Sequence, residues 1–238
     1  MNKVKFEQDD FHWQWLYRLG GSAALITAVF IPLQVVIFMA WPPPSTAQGY
    51  FTVFQSNPFI GLLNLDLLLL IDQMLGVVIL VALYIALRRT NESVMAVVLA
   101  LGLVAAAAYF ASNTAVNMLT ISHQYAAATT EAQRAMYLAA GESMLAIYTG
   151  TAFHVSYILG AIVGTAIGIG MWRSKHFSKT TASMAVLANV ISLGLYVPVI
   201  GLYISIFSVL FLEIFYSLVA RRFLQMGRRE DHLVLEPA

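Results

Sequence analysis

Six long apolar runs, separated by short polar stretches, organise the chain from end to end. A helix needs about 20 consecutive apolar residues to cross about 30 Å of hydrocarbon. The first run is Leu19 to Trp41, closed by Pro42-Pro43-Pro44. The second extends from about Ile60 to Leu87 and stops at Arg88-Arg89. The third covers about Val94 to Val116, and the fourth starts near Glu142 and stops at Trp172-Arg173. The fifth covers about Ala182 to Val197, Pro198 and Gly201 mark a tight turn, and the sixth ends near Ala220 before Arg221-Arg222. The combined length of the last two runs and the proline between them predict a hairpin rather than one helix. The spans must be helices, because an open sheet edge cannot be satisfied in lipid.

The basic residues orient these spans, since loops rich in Lys and Arg stay in the cytoplasm. Lys3, Lys5 and Arg18 precede span one, and Arg88 and Arg89 lie between spans two and three. Arg173, Lys175 and Lys179 lie between spans four and five, and Arg221, Arg222, Arg228 and Arg229 follow span six. The opposite side holds only Arg134. The expectation is an all-α polytopic membrane protein of six transmembrane helices over residues 18–220. An interfacial N-terminal segment (1–17) and a tail (221–238) are both expected in the cytoplasm.

Composition agrees. Of 238 residues, 60% are hydrophobic and 11% charged, which leaves room for six spans and little else. A net charge of +1 gives no reason to expect nucleic-acid binding. The absence of Cys excludes disulfides, thiolate metal sites and Cys nucleophiles. The first seventeen residues are polar and aromatic, with Glu7, Asp9 and Asp10, unlike the basic start of a cleavable signal. Ser45-Thr46-Ala47 resembles a cleavage site but follows a full-length span and a proline triplet, so span one is expected to be retained. Phe11, Trp13, Trp15 and Tyr17 suggest an interfacial anchor. Thr120 to Gly141 is the one long external loop, and its segment Glu131 to Leu138 is helix-prone, so span four is expected to begin as a helix outside the membrane.

Ionisable and amide groups inside a span are costly and usually face a bundle interior or water. Span two carries Asn64, Asp66, Asp72 and Gln73, and span three carries Tyr109, Ser112, Asn113 and Asn117. Span four carries Glu142 and His154, span five Asn189 and span six Glu213. Counted from the external ends at 1.5 Å per residue, Asp72, His154 and Glu213 each fall about 18–21 Å down their helices. The pattern predicts an outward-opening polar cavity lined by Asp66, Asp72, Asn113, Asn117, His154 and Glu213, with the last two and Asp72 at its floor. Tyr109, Ser112, Asn113, Asn117 and Thr120 recur at three- and four-residue steps and share one helix face, which serves either interhelical hydrogen bonding or a ligand lining. Ala152, Ser156, Gly160, Gly164 and Gly168 form a ridge of small residues suited to close packing within the chain. His154 lies on the opposite face, where an imidazole can carry a proton or serve structurally.

Cofactor chemistry has little basis. His154 is the one histidine in a span, no HExxH is present, and a zinc site wants at least three suitable ligands. His12, His123, His176 and His232 lie outside the spans, which disfavours paired haem ligation, and no span holds a Lys for a Schiff base. Walker, Rossmann and GxSxG patterns are absent. No metal or cofactor is expected.

Several stretches resemble the DUF4386 family of uncharacterised bacterial integral membrane proteins. Tyr17-Arg18-Leu19-Gly20-Gly21 is similar to that family's opening of span one, and Leu83-Tyr84-Ile85-Ala86-Leu87-Arg88 to its end of span two. His154 falls where members often carry a histidine. Gly168 to Lys179, through Trp172-Arg173-Ser174-Lys175 and Phe177-Ser178-Lys179, is similar to the family's exit from span four. The link lacks the usual Pro before its Lys, and span five lacks the typical Leu-Gly opening. The resemblance covers most of residues 17–220. It implies a six-helix membrane fold and carries over no activity and no catalytic residue.

The functional expectation is a multi-pass protein of a bacterial cytoplasmic membrane that binds or translocates a small or lipidic molecule through the polar cavity. Membrane lipids are its surroundings. The alternatives are an intramembrane enzyme using His154 with Asp72 or Glu213, and a non-catalytic partner of a sensor or transporter complex, including a homo-oligomer.

Overall fold

A computed structural model describes residues 13–228. Lys3, Lys5, Phe11, Arg229 and the rest of the two ends lie outside the described residues. Among the described residues all regular structure is helical: α1 (Gln14–Ala40), α2 (Ala47–Ser56), α3 (Pro58–Asn64), α4 (Leu67–Leu87), α5 (Glu92–Ser112), α6 (Ala115–Ala127), α7 (Glu131–Tyr148), α8 (Thr151–Arg173), α9 (Lys179–Ser192) and α10 (Gly201–Arg228). Among the described residues, five stretches are long and apolar enough to cross a membrane: α1, α4, α5 with α6, α7 with α8, and α10. The protein is therefore all-α with several membrane-spanning helices. The expected fifth span is α9, whose 14 residues rise about 21 Å, followed by one 3-10 turn at Leu193–Tyr196. It is too short to qualify by length alone.

The chain divides into two compact units. The first takes the described residues up to Val29, Met74–Leu103 and those from Leu159 onward. Its core joins Ala23 and Ala24 of α1, Ile79, Leu83 and Leu87 of α4, Met95 and Val98 of α5, Val163, Ile167 and Met171 of α8, Ala182 and Ala185 of α9, and Phe215, Val219 and Phe223 of α10. Of the ridge of small residues on α8, Gly164 and Gly168 pack closely inside the chain. A Cβ on Gly164 would lie 2.2 Å from Asn189 Oδ1, and one on Gly168 would lie 2.7 Å from Val186 Cγ2. Gly160 faces open space.

Four basic segments converge on one end of this first unit. Arg18 Nε donates to the Gly227 carbonyl at 2.7 Å, joining the start of α1 to the end of α10. The Arg88 guanidinium lies 5.8 Å from the Trp13 ring centre. Arg222 Nε donates to the His176 carbonyl, and Lys179 Nζ to that of Trp172. Tyr17 stacks on Phe223 and Phe177 meets the same ring edge-on. Tyr17 is thus a buried core residue and not the interfacial ring expected of it, whereas Trp15 is exposed. The predicted turn closes through Val197 N–H to the Gly194 carbonyl and Ile200 N–H to that of Pro198, with Val199 at φ 69°. A left-handed φ is rare for a β-branched residue.

The second unit comprises Phe30–Gln73 and Val104–Ile158. Its core is aromatic: Tyr50, Phe51 and Phe54 of α2 pack with Leu65, Ala115 and Met118. The segment resembling a cleavage site is the start of α2, where Thr46 caps the helix by accepting from Gly49 N–H. Asn57 does the same for α3, accepting from Phe59 and Ile60 N–H, with Pro58 in the first turn. The helix expected from Glu131 is present as α7, opened by a reciprocal capping box between Thr130 and Gln133.

Three of the expected spans are interrupted in this unit. The second breaks at Leu65-Asp66, the third at Asn113-Thr114 and the fourth at Thr149-Gly150. The helix within expected span two starts at Leu67, and the first helix within expected span three ends at Ser112. Long-range side-chain bonds join two of the breaks to residues far along the chain.

A carboxylate at the junction of three helix breaks

Asp66 sits between α3 and α4 with φ 65°. Aspartate enters this left-handed region more readily than most residues, because its short polar side chain bonds locally. The backbone around it stays paired. Leu65 N–H reaches the Gly61 and Leu62 carbonyls, Asp66 N–H reaches Leu63, and Leu70 N–H takes the Asp66 carbonyl at 2.8 Å.

The other two breaks close onto this one. Asn113 Nδ2 donates to the Leu65 carbonyl at 2.8 Å, while its Oδ1 accepts from Ala115 N–H at 3.0 Å. One amide side chain thus starts α6 and holds the α3–α4 junction. Tyr148, the last residue of α7, donates its hydroxyl to Asp66 Oδ2. Tyr109 donates to the same oxygen at 3.4 Å. Thr114 Oγ1 donates to the Met144 carbonyl at 3.3 Å. Above the junction, Glu142 Oε1 accepts from Ala47 N–H at 2.9 Å, a carboxylate at the positive end of α2.

Asp66 is buried, and it lies ahead of the apolar helix Leu67–Leu87. Burial pushes its carboxyl up to about 6, against the opposing pull of hydrogen bonds from Tyr148 and Tyr109. Tyr50 of α2 is pushed up to about 12, first by burial and then by the charge of Asp66. The arrangement buries one carboxyl group, its affinity for a proton raised, against the hydroxyls of Tyr148 and Tyr109.

The expected cavity residues divide. Asp66 and Asn113 meet at this junction. Asp72 is half-buried on α4, close enough to Tyr109 to act on it electrostatically. Asn117 is exposed on α6. His154 is exposed too, three residues into α8, with its ring edge-on to Phe153. The break at Thr149-Gly150 revises its depth: His154 lies about 5 Å from the start of its own helix, and Asp72 about 8 Å from the start of α4. The larger depth came from counting through the break. Glu213 belongs to the first unit, half-buried on α10. Tyr148 and Tyr50 were missed. Tyr148 precedes Thr149-Gly150, a helix-stop signal, and Tyr50 begins the apolar spacing Tyr50, Phe51, Phe54.

Beside the junction, a pocket of about 340 Å³ opens between the end of α1 and the α2–α3 turn. Trp41, Val53 and Ile60 form apolar walls, and Ser56, Asn57 and Asn64 supply polar groups. Asn64 is 2% exposed and its Oδ1 accepts no hydrogen bond from the described residues. Among the described residues, no cluster of three His, Asp or Glu side chains is arranged to hold a metal ion. No protein-family profile, curated protein or solved structure matches the chain.

Proposed function

We propose that this is a six-crossing protein of a bacterial cytoplasmic membrane, with both ends inside, whose second helical unit binds or passes a small or lipidic molecule. We also propose membership of the DUF4386 family, on the segments that resemble it. The convergence of Arg18, Arg88, Lys179 and Arg222 on one end of the first unit supports a common cytoplasmic side. From that side α4, α5 and α8 run 21, 21 and 23 residues to their breaks. These lengths are about 32–35 Å, close to one hydrocarbon thickness. Along the chain, Asp66, Asn113 and Tyr148 fall at the breaks that bound these helices away from their basic ends. The 14 residues of α9 and its 3-10 turn add to about 29 Å, enough for a short crossing.

The observation that carries the binding reading is the buried, protonatable Asp66 where the three breaks meet. A buried carboxyl group whose affinity for a proton is raised, placed where three helices break, suits proton-linked capture of a ligand. Native mass spectrometry of the protein extracted in membrane lipid tests this. A defined bound mass that is weakened in Asp66→Asn supports the reading, and an empty protein in both forms opposes it.

A second reading, a non-catalytic partner in a membrane complex, is favoured by one observation: Tyr109, Tyr148 and Asn113 satisfy the junction from within the chain. Under it, the extracted protein carries another polypeptide and no small molecule.

A further inference from the structure

We propose that the pocket at the end of α1 holds the uncharged, hydroxyl-bearing head of a lipid, of the monoacylglycerol type. The inference rests on the reading of the second unit as a ligand-binding one, and it names the ligand class that unit takes.

The chemistry comes from what the pocket lacks. Asn64 is buried and lines it, yet its carboxamide oxygen has no donor. Gln34 of α1, also buried, donates Nε2 to the Leu63 carbonyl at 3.3 Å, while its Oε1 likewise accepts nothing. Buried acceptors are normally satisfied, so the orphaned oxygen of Asn64, the one of the two that belongs to the pocket lining, calls for a donor. The lining contains no charged side chain, which disfavours a phosphate or carboxylate head and an ammonium alike. A hydroxyl donates without bringing charge.

The walls select the rest of the molecule. Trp41, Val53 and Ile60 offer apolar area, and Trp41 and the neighbouring Phe59 are 52% and 60% exposed. Trp at the end of a membrane helix is the residue type that settles at the lipid–water boundary. At about 340 Å³ the pocket is near the lower limit of small-molecule sites, which fits a glycerol head and the first carbons of a chain, not a whole lipid.

Photo-crosslinking of the full chain in nanodiscs with a diazirine-bearing monoacylglycerol tests the proposal. Saturable labelling of the peptide spanning residues 41–64 is expected, with unlabelled monooleoylglycerol competing and glycerol failing to compete. Ile60→Trp, which fills the pocket from its half-buried rim, and Asn64→Leu, which removes the acceptor, should each lower labelling at least tenfold. Ile60→Trp keeps the test decisive if the core substitution Asn64→Leu impairs folding. Labelling spread over the spans and unchanged by Ile60→Trp would overturn the site. Equal competition by glycerol would overturn the lipid assignment in favour of a free polyol. Either failure alongside a defined mass in the native spectrum would sink this pocket while leaving the wider binding reading in place.

Discussion

Tyr148 closes α7 by donating its hydroxyl to Asp66, 82 positions earlier in the chain, so the end of one interrupted helix is fastened to the break in another. The bond is charge-assisted whenever Asp66 is ionised, and such bonds contribute about 1.5–3 kcal/mol. Tyr148→Phe should therefore destabilise the protein by about that amount. Tyr109→Phe, which removes a longer bond to the same oxygen, should cost less. Thermal unfolding of the detergent-purified variants ranks them, and equal effects would show that the two phenols are interchangeable.

Asp66 itself has two demands on it, a left-handed backbone and an acceptor for both phenols. Asparagine meets the first and part of the second, whereas alanine meets neither. Asp66→Ala should lose about 2–4 kcal/mol, from the left-handed penalty of about 1–2 and the stranded donors. Asp66→Asn should lose less. An Asp66→Ala protein with unchanged unfolding temperature would remove the residue from its role as the junction.

The raised carboxyl of Asp66 has a signed consequence for pH. An acid whose folded pKa lies above its unfolded value of 3.8 binds its proton more tightly when folded. Its contribution is thus most favourable at low pH. Stability from this group should fall as pH rises from about 4 to about 6 and level off above. The difference between wild type and Asp66→Asn across that window isolates the effect. A difference that grows in favour of wild type with rising pH would contradict the sign.

On α8, two glycines one turn apart should respond in opposite directions. Gly160 faces open space, so Gly160→Ala should gain up to about 1 kcal/mol from helix propensity. Gly164 is covered by the Asn189 amide, which donates to the Ala185 carbonyl. Gly164→Ala should cost about 1–3 kcal/mol by overpacking, and Asn189→Ala should recover much of it in the double variant. Unfolding temperatures of the four proteins would settle the coupling.

The long helices were legible because hydrocarbon thickness imposes a length that hydropathy reports directly. Even α7, predicted from Glu131 to Leu138, and the Pro198–Gly201 turn follow from local residue choice. The breaks were not legible. Neither Leu65-Asp66 nor Asn113-Thr114 contains a proline or glycine, and each is held open by a long-range side-chain bond that no local pattern announces. Asp66 and Asn113 were picked out as polar residues in apolar runs, yet what they meet depends on helix neighbours. The depth estimate for His154 failed for the same reason, because counting along a helix presumes that the helix continues.

Topology is the central claim, and the absence of cysteine makes it directly measurable. Single cysteines at Thr129, Ser174 and Val199 would be probed in intact cells with a membrane-impermeant maleimide. The account predicts labelling at positions 129 and 199 from outside, and at 174 only after permeabilisation. Labelling of Val199→Cys from the cytoplasmic side alone would mean that α9 does not cross, and labelling of Thr129→Cys from that side alone would place the Asp66 junction on the wrong face of the membrane.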